Sequence, residues 1–179
     1  LFLSFGLSAI VVISLVVYSY GLLLYVEEGP DTDAEGDIEI TVEGYQYGWA
    51  YEYPNGHTER GELIVPADQR IDINVTSRDV WHNFGSSDLR IKTDAIPGDY
   101  NENWFSVSSE DVAAQGGEAT YPVECFELCG PGHSAMEGQI TVIPEDEWDE
   151  WYANTGNSSE SASIEASALG AEIPSGVSA

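Results

Sequence analysis

The twelve residues from Cys125 to Met136 hold both cysteines of the chain, its only methionine and one of its three histidines. Thiol, imidazole and thioether are soft or borderline metal ligands, and this density is hard to explain by packing. The spacing of four between Cys125, Cys129 and His133 would fit one helix face, but Gly130-Pro131-Gly132 would break that helix. The flanking residues, 121–123 and 139–143, have strand composition. We therefore predict a ligand-bearing loop between two strands.

Three kinds of site are compatible with two cysteines in such a loop. A disulfide closing a small loop is common for two cysteines outside the cytoplasm. Zinc binds cysteine and histidine readily, but it makes little use of methionine, and a structural zinc site usually shows a second ligand pair at matching spacing. Copper binds all three side-chain types. Copper is the best fit to these residues.

The loop closely resembles the CuA loop of subunit II of haem-copper cytochrome oxidases. That family has the pattern Cys, any residue, Glu, any residue, Cys, three residues, His, two residues, Met, and every position matches here. The family also has an upstream histidine. Residues 79–84, which contain His82, and residues 92–98 resemble the corresponding family segments in order and distance.

The resemblance implies a binuclear copper centre. In the family, two cysteine thiolates bridge two copper ions, a histidine caps each ion, and a methionine and a backbone carbonyl are weak outer ligands. A magnesium ion is bound by the carboxylate of the loop glutamate, here Glu127, at the boundary with subunit I. The copper ligands implied here are His82, Cys125, the carbonyl of Glu127, Cys129, His133 and Met136.

The resemblance also implies where electrons arrive. Tyr47 aligns with the tryptophan through which the family usually accepts electrons, and Trp49 keeps the neighbouring aromatic position. Asp94 matches an acid that the family associates with docking of the electron donor. The run from Tyr45 to Tyr53 contains five aromatic residues and is predicted to be one strand. We expect a donor surface built around Tyr47 and Trp49.

The function implied is that of subunit II in a respiratory terminal oxidase. Electrons would come from cytochrome c or a small halocyanin-like copper protein. They would pass to haem in subunit I, which reduces oxygen, pumps protons and is accompanied by other oxidase subunits. The chain would thus be the electron-accepting subunit of a cytochrome-c oxidase. The alternative is a membrane-tethered module that binds or delivers copper without a redox role.

Residues 1–26 carry no charge and would form a helix of about 39 Å, long enough to cross a hydrocarbon core of about 30 Å. The run is too long for the ~7–15 residue core of a signal peptide. We predict a single membrane span, an acidic linker at 27–37, and a following domain on the extracytoplasmic side of the cell membrane, the side being inferred from the family. Because the family commonly has two such helices, we expect that an upstream helix was removed or lies outside this sequence.

Short runs of alternating residues separated by turn residues begin at Ile38 and indicate a β-sandwich. The family version is the cupredoxin-like Greek key, so the predicted fold is all-β, preceded by one transmembrane α-helix. We place this domain at 38–153, including a short C-terminal helix that starts near Pro144. Residues 154–179 are rich in Ser, Ala and Gly, and we predict a disordered tail.

The chain has 32 acidic and five basic residues, a net charge of −27. Clustered Lys and Arg, which nucleic acid binding requires, are missing from the sequence. The acids are spread along the chain rather than gathered in one docking patch. Such a distribution favours adaptation to high salt, where repulsion among exposed charges is screened, so we expect a halophilic archaeon as the source.

Overall fold

The computed structural model describes residues 2–28 and 37–155, in two compact units. In the first unit, helix α1 (Phe2–Glu28) is the one helix among the described residues that is long and apolar enough to cross a membrane. It extends two residues beyond the predicted span because Glu27 and Glu28 continue its last turn. Residues 29–36 of the predicted linker and residues 156–179 of the predicted tail lie outside the described residues.

The second unit is a sandwich of two five-stranded sheets, as predicted. Sheet A has the order β3-β2-β1-β5-β8 and sheet B the order β4-β10-β9-β6-β7. Its elements are β1 (Ile38–Tyr45), β2 (Gly48–Glu52), β3 (Thr58–Arg60), β4 (Glu62–Pro66), β5 (Ile71–Ser77), β6 (His82–Ser86), β7 (Ile91–Ala95), β8 (Asn101–Phe105), α2 (Ser109–Ala114), β9 (Ala119–Cys125), β10 (Glu137–Ile143) and α3 (residues 145–155).

The core lies between the two sheets, and the period-two alternation of the strands builds it. Ile40 and Val42 of β1 are fully buried, whereas Glu39 is exposed and Thr41, between them, is half-buried. From β2, Trp49 and Tyr51 point into the same core, where both rings pack edge-on against Phe84 of the opposite sheet. These aromatic rings therefore form the part of the core that lies next to the start of β6.

Three strands, β3, β6 and β7, were not predicted from the sequence. His82 opens β6, which follows a bend at residues 78–80. The predicted single strand from Tyr45 to Tyr53 is also wrong. It breaks at Gln46 and Tyr47, which form the turn of the β1–β2 hairpin, with Tyr45 paired to Gly48. The predicted C-terminal helix is present as α3, but it runs to residue 155, two residues into the predicted tail.

Candidate metal centre

Two neighbouring strands of sheet B bring the predicted ligands to one end of the sandwich. Strand β6 begins at His82, strand β9 ends at Cys125, and the two strands pair so that Phe84 lies opposite Cys125. The chain leaves β9 into a loop, residues 126–136, and returns along β10, which is antiparallel to β9. This loop, called the ligand loop below, therefore starts beside His82.

The thiol sulfurs of Cys125 and Cys129 lie 3.9 Å apart, and both cysteines are free and buried. A disulfide bond is about 2.05 Å long, so these sulfurs are not bonded and the disulfide alternative is wrong for this structure. A metal–thiolate bond is about 2.3 Å long. Two sulfurs at this separation can consequently both bind the same metal ion.

One imidazole lies beside each sulfur. Nδ1 of His82 is 3.9 Å from Sγ of Cys125, and Nδ1 of His133 is 3.7 Å from Sγ of Cys129. The ligand atoms of His82, Cys125 and Cys129 all lie within 4.8 Å of one another. The paired sulfurs thus have a histidine nitrogen on either side, His82 being buried and His133 half-buried.

Two weaker donors complete the cluster. Sδ of Met136 lies 3.7 Å from Sγ of Cys129, and the backbone oxygen of Glu127 lies 3.2 Å from Sγ of Cys125. All six predicted ligand groups are therefore brought together. Their chemistry, two thiols, two imidazoles, a thioether and a carbonyl, fits copper. Met136 is 1% exposed, so water is excluded from this side of the cluster.

Glycines allow the ligand loop to take its shape. Gly130 has a φ of +138°, in the region that favours glycine, and its carbonyl accepts a hydrogen bond from the N–H of His133. A Cβ atom on Gly132 would lie 2.5 Å from the ring of Tyr47. Glycine at this position lets the Tyr47 ring rest directly on the loop, outside the metal ligands.

Asp79 orients the first ligand. Its Oδ1 lies 2.8 Å from Nε2 of His82, so Nε2 carries the ring proton and Nδ1 keeps its lone pair for a metal. Partial burial opposes the charge on Asp79. Hydrogen bonds from His82 and from the backbone N–H groups of Gln46 and Val80 outweigh this effect and hold the pKa of Asp79 below its usual value. The carboxylate is therefore ionised where it serves His82.

In the metal-free protein, burial of the sulfur and the nearby Cys125 thiol raise the pKa of Cys129 to about 11. The Cys129 thiol is accordingly protonated at neutral pH. Since a thiolate is the form that binds metal, this proton must leave when a metal binds.

The two predicted electron-accepting rings lie in different places. Tyr47 is 39% exposed and covers the ligand loop, as a contact surface requires. Trp49 is fully buried, so the expectation that a donor touches it is wrong. The alternation of β2 turns the Trp49 side chain into the core, where its ring packs edge-on to His82 with centroids 6.0 Å apart.

Glu127 and Asp94 are both exposed. The Glu127 side chain is exposed on the ligand loop, while its carbonyl faces the Cys125 sulfur. Asp94 lies on β7 opposite Asn83, the residue after His82, and accepts a hydrogen bond of 2.6 Å from the Asn83 amide. Both residues lie at the end of sheet B that carries the ligand cluster.

Sequence reasoning missed three residues that shape the site. The sequence places Asp79 three residues before the ligand His82, and this spacing could have indicated the hydrogen bond between them. Gln46 contacts both ligand-bearing segments across the fold. Nothing in the sequence around Gly44 indicates that it contributes to the site. A Cβ there would lie 2.9 Å from the Trp49 ring and 3.1 Å from that of His82.

Known proteins with similar sequences share one description. Residues 57–143, which contain all six ligand groups, match the family described as "Cytochrome C oxidase subunit II, periplasmic domain". The heme-copper oxidase subunit 2 of Aeropyrum pernix is 37% identical over 148 residues, covering 81% of this chain and 60% of that protein. Cytochrome c oxidase subunit 2 of Thermostichus vulcanus is 36% identical over 126 residues, covering 69% of this chain and 36% of that protein.

A solved structure shares the fold. The crystal structure of the periplasmic domain of subunit II of cytochrome oxidase from Bradyrhizobium japonicum superposes with a TM-score of 0.61 at 27% identity, covering 71% of this chain and 99% of that one. This likeness confirms the cupredoxin-like β-sandwich predicted from the sequence. The chain spans 60% or less of the lengths of the two sequence relatives named above.

Proposed function

The chain belongs to the cytochrome c oxidase subunit II family, and from this premise we propose that it carries a binuclear copper centre that accepts electrons for a respiratory haem-copper oxidase. The observation that carries the proposal is the pair of buried free thiols, 3.9 Å apart, with a separate histidine nitrogen beside each sulfur. A mononuclear copper site uses two histidines with a single thiolate, so it would leave the second buried thiol without a role. The doubled arrangement favours two ions sharing both sulfurs.

Copper held by these cysteines and histidines would supply a site that gains and loses one electron. The protein contributes rigidity to this site. His82 is fixed by Asp79, Met136 is buried, and Cys125 ends a strand paired on both sides. Ligands held in this way keep similar positions in both redox states, which favours fast electron transfer.

We place the donor at Tyr47. This ring is exposed and lies against the loop that holds Cys129 and His133. The donor is cytochrome c or a small halocyanin-like copper protein, and the electron continues to haem in subunit I. Oxygen reduction and the coupled proton pumping take place in that subunit, which this chain contacts together with the other oxidase subunits.

The carboxylate of Glu127 is proposed to bind a magnesium ion shared with subunit I. It is exposed next to the copper ligands, and carboxylate oxygen is the ligand type that magnesium prefers. The carbonyl of Glu127 would then contact copper, and its carboxylate would bind magnesium. The position of the magnesium ion on the subunit boundary would link the two proteins close to the electron path.

We further propose that α1 anchors the chain in the cell membrane with the copper domain on the extracytoplasmic side. The apolar helix supports the anchor, and the match to a periplasmic family domain supports the side. The acids, 32 against five basic residues, support adaptation to high salt and a halophilic archaeal source. At the high salt concentration of such an environment, interactions between charges would contribute less to docking of the electron donor.

The decisive experiment measures copper in the full chain, purified in detergent at high salt. We expect two copper ions per chain and an electron spin resonance pattern in which one unpaired electron is shared by two copper nuclei. One copper ion per chain, with a mononuclear pattern, would contradict the proposal and favour the copper-delivery alternative. Zinc retained in preference to copper would exclude both.

A further inference from the structure

Gln46, the first residue of the β1–β2 turn, is hydrogen bonded to both segments that carry copper ligands. Its side-chain Nε2 donates to the backbone oxygen of Cys129 at 2.5 Å. Its backbone N–H donates to Oδ2 of Asp79 at 2.7 Å, and the other oxygen of the same carboxylate holds His82. One residue in a turn between two strands of sheet A thus joins the ligand loop to the segment just before β6.

The ligand loop benefits from such a connection because its own backbone is weakly constrained at this point. Cys129 is followed directly by Gly130, which has left-handed φ, and two positions later by Gly132. Glycine has the largest backbone freedom of any residue, so Gly130 does not stiffen the peptide that joins it to Cys129, and the nearest fixed φ on that side is that of Pro131. A hydrogen bond to the Cys129 carbonyl fixes the peptide that carries this sulfur.

The adjacent residue reinforces the contact. The ring of Tyr47 covers the Cα atoms of Gly130 and Gly132, at the distances where a Cβ would collide with it. The turn therefore holds the loop in two ways, by the Gln46 amide at Cys129 and by the Tyr47 ring at the glycines. The amide acts on the ligand residue itself, whereas the ring acts on its neighbours.

We propose that Gln46 is a positioning residue that fixes Cys129 relative to His82 and thereby sets the electronic structure, the reduction potential and the copper retention of the centre. The proposal rests on the proposed copper function. Groups that hydrogen bond to metal ligands typically change metal affinity by about 10- to 100-fold when they are removed. Gln46 acts on both sides of the paired sulfurs, directly on Cys129 and through Asp79 on His82.

The test replaces Gln46 by leucine in the full chain, which keeps the bulk of the side chain and removes its donor. Gln115→Leu is the matched control, because Gln115 also donates its amide to a backbone oxygen, that of Asp111, and lies at the end of α2. The three readouts are the electron spin resonance pattern, the reduction potential, and the rate at which a copper chelator removes the metal.

We expect Gln46→Leu to bind two copper ions, to lose them to the chelator about 10- to 100-fold faster than the unaltered chain, and to show a changed potential and resonance pattern. Gln46→Glu should be more severe, since it directs a carboxylate at the Cys129 carbonyl. Gln46→Asn, which is one methylene too short to reach that carbonyl, should resemble leucine. It also serves as the test if the leucine variant folds poorly.

The outcomes separate this inference from the proposed function. If the unaltered chain does not bind two copper ions, the proposed function fails before Gln46 is considered. If the unaltered chain binds two, but Gln46→Leu and Gln46→Asn match it in all three readouts, Gln46 is not a positioning residue. Equal changes in Gln115→Leu would also overturn the inference, because they would show a general loss of stability.

Discussion

The imidazole of His82 is held by Asp79 at a distance of 2.8 Å on Nε2, while its other nitrogen faces the Cys125 sulfur. This contact fixes the ring with Nδ1 toward the Cys125 sulfur, which is the orientation that a metal bound by that sulfur would need. A ligand orientated in advance loses less entropy when the metal arrives. Asp79 therefore contributes to copper affinity although it is not a ligand.

Replacing Asp79 by alanine should weaken copper binding by about 10- to 100-fold, because the His82 ring loses its orientation and its fixed tautomer. Asp79→Asn should be milder, since an amide oxygen can still accept from Nε2. Competition with a copper chelator measures the effect. The control is Asp94→Ala, whose carboxylate binds Asn83 rather than a ligand. Unchanged affinity in Asp79→Ala would remove this residue from the site.

Cys129→Ser should abolish the shared-electron centre, because a hydroxyl cannot bridge two copper ions as a thiolate does. The electron spin resonance pattern checks this, and a pattern like that of the unaltered chain would refute the bridging role. Met136→Leu is the comparison. It should leave two copper ions bound and shift only the reduction potential, since a thioether at this position is a weak ligand.

Copper uptake by the metal-free chain should become tighter as the pH rises. The Cys129 thiol has a pKa raised to about 11, so its proton must be released to form the thiolate that binds copper. The gain should continue from neutral pH up to about 11, where the free thiol is already ionised. Proton release measured during copper titration at several pH values tests this. Uptake without proton release at neutral pH would contradict it.

Tyr47→Ala should slow electron transfer from the donor without altering the copper spectrum, and Tyr47→Trp should be tolerated. Exposed charges separated by more than about 3 Å hardly interact at 1 M salt, so we expect apolar contact with this ring to dominate docking. Donor oxidation rates at several salt concentrations provide the measurement. Tyr100→Ala, a change to an exposed tyrosine outside the ligand loop, is the control. A rate that collapses above about 1 M salt would show that docking depends on charge.

Glu127→Gln should leave copper intact and weaken magnesium binding in the assembled oxidase. The copper contact of Glu127 is its backbone oxygen, which survives the substitution, whereas the magnesium contact needs the carboxylate. Metal analysis of the purified complex distinguishes the two metals. Loss of copper with magnesium retained would reverse the roles assigned to this residue.

The ligand loop could be predicted from the sequence because its chemistry is local. Five ligand groups fall within the twelve residues from Cys125 to Met136, and glycine and proline exclude a helix there. Strand β6 could not be predicted in the same way. Its sequence, HNFGS, has polar residues and glycine in place of β-branched ones, yet all five residues are buried because neighbouring strands cover them. Tertiary contacts overrode the local propensity.

The turn at Gln46 and the burial of Trp49 also depend on distant residues. Asp79 accepts the Gln46 N–H from 33 positions away, so an aromatic run that resembles one strand is divided into two. Trp49 was assigned to the surface with Tyr47. Tyr47 lies in the β1–β2 turn and covers the ligand loop, whereas Trp49 lies on β2 and points into the core, and only the folded chain shows this.

The contact between Tyr47 and Gly132 links two positions that are 85 residues apart in the sequence. Any larger residue at 132 would have to displace the ring, so substitutions there are acceptable only with a smaller residue at 47. The two positions should be inherited as a pair. A lineage that replaces the Tyr47 ring by another means of accepting electrons would also be free to change the ligand loop at position 132. In protein design, the two positions must be varied together.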